Sequence, residues 1–269
     1  MKTTLLCGLL LLTTAVAVPA QWVKQRDPRV PSLGDGKPNS SAPTPRASDG
    51  KPDLSGVWVT DRAPRRPGVI AVEGDVQLPP HFLDVTATMK PEDVQLEPWA
   101  DALFKEDAQD PTNNQSAHCL PTGEPAAAEV PFPYKIVQTP GLVLVLYEEN
   151  VMFRQIFLDG RKVAPDAEPR WMGYSTGRWE GDTLVVETVG VNDRSRLDRI
   201  GHPHTEAMRV TERFRRRDVG HLEVEVTITD PNAYRKPLVY TRRATLVPDD
   251  DLLEYVCTEN NKDVNHFRK

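Results

Sequence analysis

The chain has 269 residues and a formal net charge of −6 at pH 7, from 39 acidic and 33 basic residues. Proteins that bind the phosphate backbone of nucleic acids usually carry a basic excess, so this balance argues against nucleic acid as the main partner. Hydrophobic residues make up 39% of the chain, which is enough for one core and excludes wholesale disorder. The 25 prolines favour loops and short strands over long helices.

The first twenty residues have the features of a secretory signal peptide. Lys2 is followed by an apolar run over residues 5–17, and small residues precede a cleavage point that we place after Ala20. The run is too short to span the roughly 30 Å of hydrocarbon in a membrane. We therefore predict a signal peptide over 1–20 and an exported protein, periplasmic or secreted, without a membrane span. A retained anchor is the alternative.

The cysteines fit export. Cleavage removes Cys7 and leaves Cys119 and Cys257, and two cysteines in an exported chain suggest one disulfide. Two separate buried thiols are the alternative. A metal site is less favoured because neither cysteine belongs to a CxxC or CxxH pair.

The rest of the chain divides into a polar segment and one domain. Residues 21–53 are rich in Pro, Gly, Ser and Asp and show no hydrophobic period, which predicts a flexible leader. We predict a single domain over 54–269, with a helical and loop insertion at about 60–130. Within the insertion, residues 98–107 predict a helix that begins with proline at its first position.

Short apolar runs separated by turns dominate the domain. At this spacing, without intervening helices, they predict a mainly β fold in which an antiparallel meander closes into a barrel or folds as a sandwich. We favour the barrel. The predicted strands are 54–59, 134–139, 142–148, 151–158, 174–179, 183–189, 208–217, 221–229, 238–247 and 252–257.

Alternation along these strands indicates which side chains face inward. In the strand 208–217, apolar side chains at every second position share a face with Glu212, while arginines and threonines lie opposite. A carboxylate on the apolar face is costly unless it is paired or protonated. We expect burial to raise the pKa of Glu212, which suits a general acid. A buried ion pair with Arg154 or Arg242 is the other reading, and we favour it.

Several motifs resemble known proteins. Gly56 and Trp58 resemble the GxW opening of lipocalin-type (calycin) barrels, which implies that Trp58 closes one end of the barrel and stacks on a late arginine. A larger set of motifs resembles an uncharacterised family of exported bacterial proteins, which implies no established activity. That set comprises KIVQTPG at 135–141, RQIFLDGR at 154–161, WMGYS at 171–175, WEGDTLVVE at 179–187, GHPHTE at 201–206 and EYVCTEN at 254–260.

The densest polar cluster lies in the loop before the strand 208–217. His202, His204 and Glu206 alternate, so in an extended segment their side chains share one side, and Asp193 lies near enough in sequence to orient one imidazole. Such a row at a barrel mouth could carry acid–base catalysis or bind a metal. Hydrogen bonds to the loop backbone, with Glu206 paired to an arginine, are the alternative without a chemical role.

Other residues are candidates for lining a ligand pocket. These are Arg154, Tyr174 and Trp179, and the sequence leaves open whether Arg154 points inward. The sequence contains no GxSxG, HExxH, Walker A or GxGxxG motif, and we predict no cofactor and assign no metal ligand.

Two functions follow from these patterns. The first is a barrel that binds a small, partly apolar ligand, because a meander of this size can enclose a cavity. The alternative is an acid–base enzyme on the same barrel (a lyase, hydratase, isomerase or hydrolase) that uses His202, His204, Glu206, Asp193 and Glu212.

Overall fold

The computed structural model describes residues 26–62, 78–110 and 115–259, so the predicted signal peptide lies outside the described residues. The strands in this part of the chain are β1 (Gly56–Thr60), β2 (Tyr134–Thr139), β3 (Leu142–Tyr147), β4 (Phe153–Phe157), β5 (Tyr174–Glu180), β6 (Thr183–Val189), β7 (Arg209–Arg216), β8 (His221–Thr229) and β9 (Leu238–Leu246). The helices are α1 (Pro80–Leu83) and α2 (Pro98–Asp107), with 3₁₀ turns at Pro91–Asp93, Gln115–His118 and Ala126–Ala128.

The nine strands form a closed barrel in chain order, and β9 pairs with β1 to complete it. The predicted mainly β barrel is therefore confirmed. Neighbouring strands are antiparallel except β4 and β5, which run parallel and pair through Ile156 with Ser175 and Phe157 with Thr176. A parallel pair needs a crossover connection rather than a hairpin. Residues 158–173 supply that crossover, and the meander predicted from the sequence is interrupted here.

The side chains alternate between the interior and the outer face as the sequence predicts. In β7, Val210, Glu212 and Phe214 are buried, whereas Arg209 and Arg215 are exposed. This alternation is the ordinary consequence of the two-residue period of a strand. It places one carboxylate, that of Glu212, among the apolar side chains of the barrel interior.

One end of the barrel is closed by Trp58, as predicted. The indole is fully buried, and its Nε1 donates a hydrogen bond to the carbonyl oxygen of Leu54 at 3.0 Å. The guanidinium carbon of Arg216 lies 4.9 Å from the centre of the Trp58 ring. Arg216 also donates to the carbonyl oxygens of Asp53 and Ser55. The late arginine expected from the lipocalin resemblance is therefore Arg216.

The described part of the insertion between β1 and β2, residues 78–110 and 115–133, covers the opposite end of the barrel. The ring of His81 of α1 packs at a tilt against that of Tyr240 of β9, with ring centres 4.2 Å apart. The hydroxyl of Thr60, at the far end of β1 from Trp58, donates to the carbonyl oxygen of Ala128 at 2.6 Å. The helix predicted over 98–107 is present with those bounds as α2.

The segment predicted as a flexible leader packs against the Trp58 end over its described part, residues 26–53. Val30 and Ala42 are buried in the hydrophobic core. The backbone N–H of Val219 donates to the carbonyl oxygen of Ala42 at 2.9 Å, and that of Gly220 donates to Ser40 at 2.7 Å. The prediction of a flexible leader is therefore wrong for these residues.

The leader is ordered by a turn that occurs twice. In both copies the sequence is Asp-Gly-Lys-Pro, at 35–38 and 49–52. The carboxylates of Asp35 and Asp49 accept hydrogen bonds from the backbone two residues later, at 3.1 and 3.0 Å. The glycine in each copy has a positive φ, 80° at residue 36 and 79° at residue 50. Such turns form from local hydrogen bonds and need no hydrophobic period, which explains why the composition was misleading.

The C-terminal part of the domain differs from its prediction. Residues 252–257 do not form a strand, and Tyr255 makes a single bridge with Glu149. The segment is held by the Cys119–Cys257 disulfide, whose Cα atoms are 5.3 Å apart, and the predicted disulfide is confirmed. In the described residues no helix has the length and apolar character needed to cross a membrane.

Candidate functional site

The centre of the barrel holds a buried ion pair network around Glu212. Its Oε2 lies 2.5 Å from Nη2 of Arg154, and its Oε1 accepts a hydrogen bond from Nη2 of Arg242 at 3.0 Å. Burial favours the neutral acid, but the two guanidinium groups outweigh it and hold the pKa of Glu212 below its ordinary value. The expected raised pKa is therefore wrong, and the ion pair alternative is confirmed.

Arg154 points into the barrel, which settles the direction that the sequence left open. Phe153 is exposed on the outer face, whereas the guanidinium of Arg154 is buried. Its Nε donates to the hydroxyl of Ser175 at 2.9 Å, its Nη2 to Thr188 at 2.7 Å and its Nη1 to Glu124 at 3.2 Å. Each of its nitrogens thus has a partner.

The Arg242 side of the network is less completely bonded. Nη1 of Arg242 donates to Oε1 of Glu129 at 3.3 Å. Four buried polar atoms have no hydrogen-bond partner among the described residues: Nε of Arg242, Oε2 of Glu129 and the hydroxyls of Tyr134 and Tyr240. The centre of the barrel thus contains charged and hydroxyl side chains among its apolar ones.

His202 is buried in the loop before β7 and bonds to Asp198. Its Nδ1 lies 2.5 Å from Oδ2 of Asp198, and its ring stacks on Phe104 of α2 with centres 4.4 Å apart. Burial alone would lower the pKa of His202, but the Asp198 carboxylate outweighs it and raises that pKa. The carboxylate bonded to the imidazole is that of Asp198, whereas Asp193 is exposed.

Sequence reasoning missed Asp198. A signal was available, because an aspartate four residues before a histidine in a turn-forming loop can bond both its ring and its backbone. The Oδ1 atom of Asp198 accepts from the backbone N–H of Gly201 at 3.0 Å and of His202 at 3.1 Å.

His204 has a separate partner. Its Nε2 lies 2.9 Å from the hydroxyl of Ser195, and its Nδ1 lies 3.3 Å from the carbonyl oxygen of Thr205. A proton on Nδ1 would donate to that carbonyl and leave Nε2 to accept from Ser195. Burial lowers the pKa of His204, which favours the neutral ring. Glu206 is exposed, so the structure does not bring it together with the two buried rings.

The predicted row of three side chains is divided because the loop folds around Asp198 rather than running straight. Asp84, Asp198 and His202 offer atoms within 4.8 Å of one another and could supply metal ligands. The carboxylate of Asp198, however, already accepts hydrogen bonds from the backbone of the loop and from Val85 at 2.7 Å. These bonds account for its position, so the cluster does not by itself indicate a metal site.

A groove of about 1000 Å³ lies beside the parallel strands. It is bounded by β4, the start of β5, the crossover 158–173 and the loop after β6. Two of the predicted pocket residues, Arg154 and Tyr174, line it, whereas Trp179 does not and packs partly buried against the core. Its apolar and aromatic lining includes Met152, Phe153, Phe157, Trp171 and Met172.

Three arginines of the groove lie over its aromatic rings. The guanidinium carbon of Arg161 is 3.6 Å from the centre of Phe157, that of Arg170 is 5.0 Å from Tyr174, and that of Arg194 is 4.9 Å from Trp171. The hydroxyl of Tyr174 donates to the carbonyl oxygen of Glu168 at 2.8 Å and holds the ring against the crossover. Sequence reasoning missed Arg170 and Trp171 of the crossover and Arg194 of the loop after β6, because neither segment has a periodic pattern.

Two regions of the described structure could therefore serve a function. One is the solvent-accessible groove, and the other contains the buried pairs His202–Asp198 and His204–Ser195. The first offers shape and apolar surface, and the second offers proton-transfer groups. In comparisons with known proteins, no family model and no curated protein matches this chain.

Proposed function

We propose that the protein is an exported barrel that binds a small, partly apolar ligand in the groove beside β4 and β5. The observation that carries this proposal is the groove itself, with its volume of about 1000 Å³ and its lining of aromatic and thioether side chains. Small-molecule sites are typically clefts of roughly 300–1,000 Å³ with mainly apolar walls and a few polar groups.

The groove is a better site than the centre of the barrel. A ligand at the centre would have to separate Glu212 from Arg154 or Arg242, and breaking a buried ion pair is costly. A ligand in the groove leaves those bonds intact. The strands β4 and β5 give the groove rigid walls, because Arg154 and Ser175 are bonded to each other across the two strands at 2.9 Å.

Export of the protein is supported by the disulfide. Disulfides persist in secreted and periplasmic proteins and are rare in reducing compartments. The Cys119–Cys257 bond is compatible with such a location. We therefore keep the periplasmic or secreted location, the signal peptide at residues 1–20 and membership of the exported bacterial family as parts of the proposal.

A neutral fluorescent probe, N-phenyl-1-naphthylamine, tests groove binding. We expect saturable binding that weakens about tenfold in Trp171→Ala, because loss of one aromatic wall costs on the order of 1.4 kcal/mol. Trp99→Ala is the matched control, since Trp99 is an exposed tryptophan of α2 outside the groove lining. Absence of saturable binding, or equal weakening by both variants, would contradict the proposal.

The second candidate function is acid–base or nucleophilic catalysis in the loop before β7. The observation that favours it is the 2.9 Å contact between Ser195 Oγ and His204 Nε2, with the other ring nitrogen facing a carbonyl oxygen. A nucleophile, a base and an orienting group in this relation are typical of hydrolytic sites. Both side chains are buried, so this function needs the loop to open.

A fluorophosphonate probe tests the second candidate. If Ser195 is a nucleophile, the probe labels the wild type and fails to label Ser195→Ala. Wild-type protein that stays unlabelled would remove nucleophilic catalysis by Ser195, and groove binding would remain. The catalytic roles predicted for His202, His204, Glu206, Asp193 and Glu212 stay predictions.

A further inference from the structure

We infer that the ligand of the groove is an amphipathic anion, an apolar or aromatic body that carries a carboxylate, sulfonate, sulfate or phosphate group. This inference rests on the proposed function and deepens it. The groups that would hold the anionic end are Lys162, Arg170 and Arg194, all of which line the groove.

The groove carries more positive charge than its own carboxylates neutralise. Arg154 is paired with Glu124 and Glu212, and Arg161 is paired with Asp159 at 2.5 Å. The other three cations of the lining form no ion pair within 4.0 Å among the described residues. One acidic residue, Glu168, also lines the groove. The groove therefore presents unpaired cations to whatever enters it.

This local excess runs against the charge of the whole chain, which is −6. On the outer face of β5 and β7, by contrast, three arginines form ion pairs with acids. Arg178 and Arg213 both pair with Glu180, at 2.9 and 3.1 Å. Arg209 pairs with Glu187 at 3.0 Å. The cluster of unpaired cations in the groove therefore does not follow from a generally basic protein, because the chain as a whole is acidic.

The cations are presented together with apolar surface. Arg170 lies over Tyr174 and Arg194 lies over Trp171. A guanidinium that lies over a ring keeps N–H groups at its edge, and these can donate to the oxygens of an anion. A ligand with both an anionic group and an apolar body can use both surfaces. A neutral apolar ligand would cover the cations without giving them an acceptor, which costs free energy.

Two probes with one ring skeleton test the charge of the ligand. 8-Anilino-1-naphthalenesulfonate carries a sulfonate that N-phenyl-1-naphthylamine lacks. We expect the sulfonate to bind more tightly to the wild type. The double variant Arg170→Gln/Arg194→Gln should weaken the sulfonate about tenfold, roughly threefold for each cation, and leave the neutral probe unchanged within about twofold. Added salt should weaken the sulfonate selectively.

The control variant is Arg215→Gln, since Arg215 is an exposed arginine of β7 outside the groove lining. It should leave both probes unchanged. If the double variant weakens both probes equally, or neither, the inference of an anionic ligand is overturned while groove binding stands. If neither probe binds the wild type, the proposed function itself has failed.

Competition distinguishes an amphipathic anion from a bare one. Decanoate should displace the bound sulfonate, whereas decanol and inorganic phosphate should each need at least about tenfold higher concentration, because each offers half of the required chemistry. Displacement by inorganic phosphate at the concentration of decanoate would overturn the apolar part of the inference. Displacement by decanol at that concentration would overturn the anionic part.

Discussion

Arg216 lies over the indole of Trp58, with its guanidinium carbon 4.9 Å from the ring centre, and the pair closes one end of the barrel. The arginine also bonds to the backbone before β1, at Asp53 and Ser55. One side chain thus joins the end of β7 to the start of the barrel, and the buried indole is fixed between them.

The first prediction concerns this end of the barrel. Trp58→Ala should lower the free energy of unfolding by about 3–5 kcal/mol, because it empties a fully buried site. Urea unfolding measures the loss, and Trp99→Ala, at an exposed position, is the control and should cost much less. A Trp58→Ala protein that unfolds at the wild-type urea concentration would show that the indole does not support this end.

The second prediction concerns the disulfide. Cys257→Ser should lower the free energy of unfolding by about 2–5 kcal/mol, since the bond restricts a long loop in the unfolded chain. Wild-type protein unfolded in the presence of a reductant is the control and should lose a similar amount. Mass spectrometry of the native, non-reduced protein after alkylation should find neither cysteine modified, and two modified cysteines would refute the bond.

The third prediction concerns the centre of the barrel. Glu212→Gln should destabilise the protein by about 3–5 kcal/mol, because it leaves Arg154 and Arg242 without their shared counter-charge. Glu223→Gln removes an acid whose partners Arg217 and Arg243 are exposed, and it should cost less than about 1 kcal/mol. Equal losses in the two variants would mean that the buried network is not ionised.

The sequence predicts the strand positions because apolar and polar side chains alternate along each strand or a turn signal bounds it. The strands β6 and β8 have the predicted bounds. The sequence does not predict the parallel pairing of β4 with β5. This pairing depends on the course of the crossover 158–173, and no local sequence pattern specifies that course. The groove depends on the same crossover. The sequence identifies two residues of the groove, Arg154 and Tyr174, as pocket candidates. The other residues that line the groove are identified only by the three-dimensional structure.

The histidine loop shows a second limit of the sequence. Alternation predicts one face for His202, His204 and Glu206, but it assumes an extended backbone. The carboxylate of Asp198 accepts hydrogen bonds from the backbone N–H groups of Gly201 in the loop and Val85 in the insertion. The histidine loop therefore curves around this carboxylate. A single side chain that bonds two distant segments leaves no period in the sequence.

The fourth prediction is a pH dependence from His202. Its pKa is raised in the folded protein, so the stability it contributes is fully present below the unfolded value of about 6.5 and is lost as pH rises through the folded value. The unfolding free energy of wild type minus that of His202→Gln should therefore fall as pH rises from about 5 to about 9.

His81 supplies the control of opposite sign. Burial lowers its pKa to about 4, so its contribution is present above pH of about 6.5 and is lost as pH falls toward 4. The difference between wild type and His81→Gln should rise with pH over the same range. If the two differences change in the same direction, the assigned environments of these histidines are wrong.

The most direct test of ligand binding in the groove is methyl NMR of the methionines while N-phenyl-1-naphthylamine or its sulfonate is added. Met152 and Met172 line the groove, whereas Met208 is buried in the core and Met89 packs against it outside the groove. Binding in the groove predicts shifts of the Met152 and Met172 methyl signals with those of Met89 and Met208 unmoved. Shifts of Met208 without those of Met152 and Met172 would place the ligand elsewhere in the barrel and contradict the account.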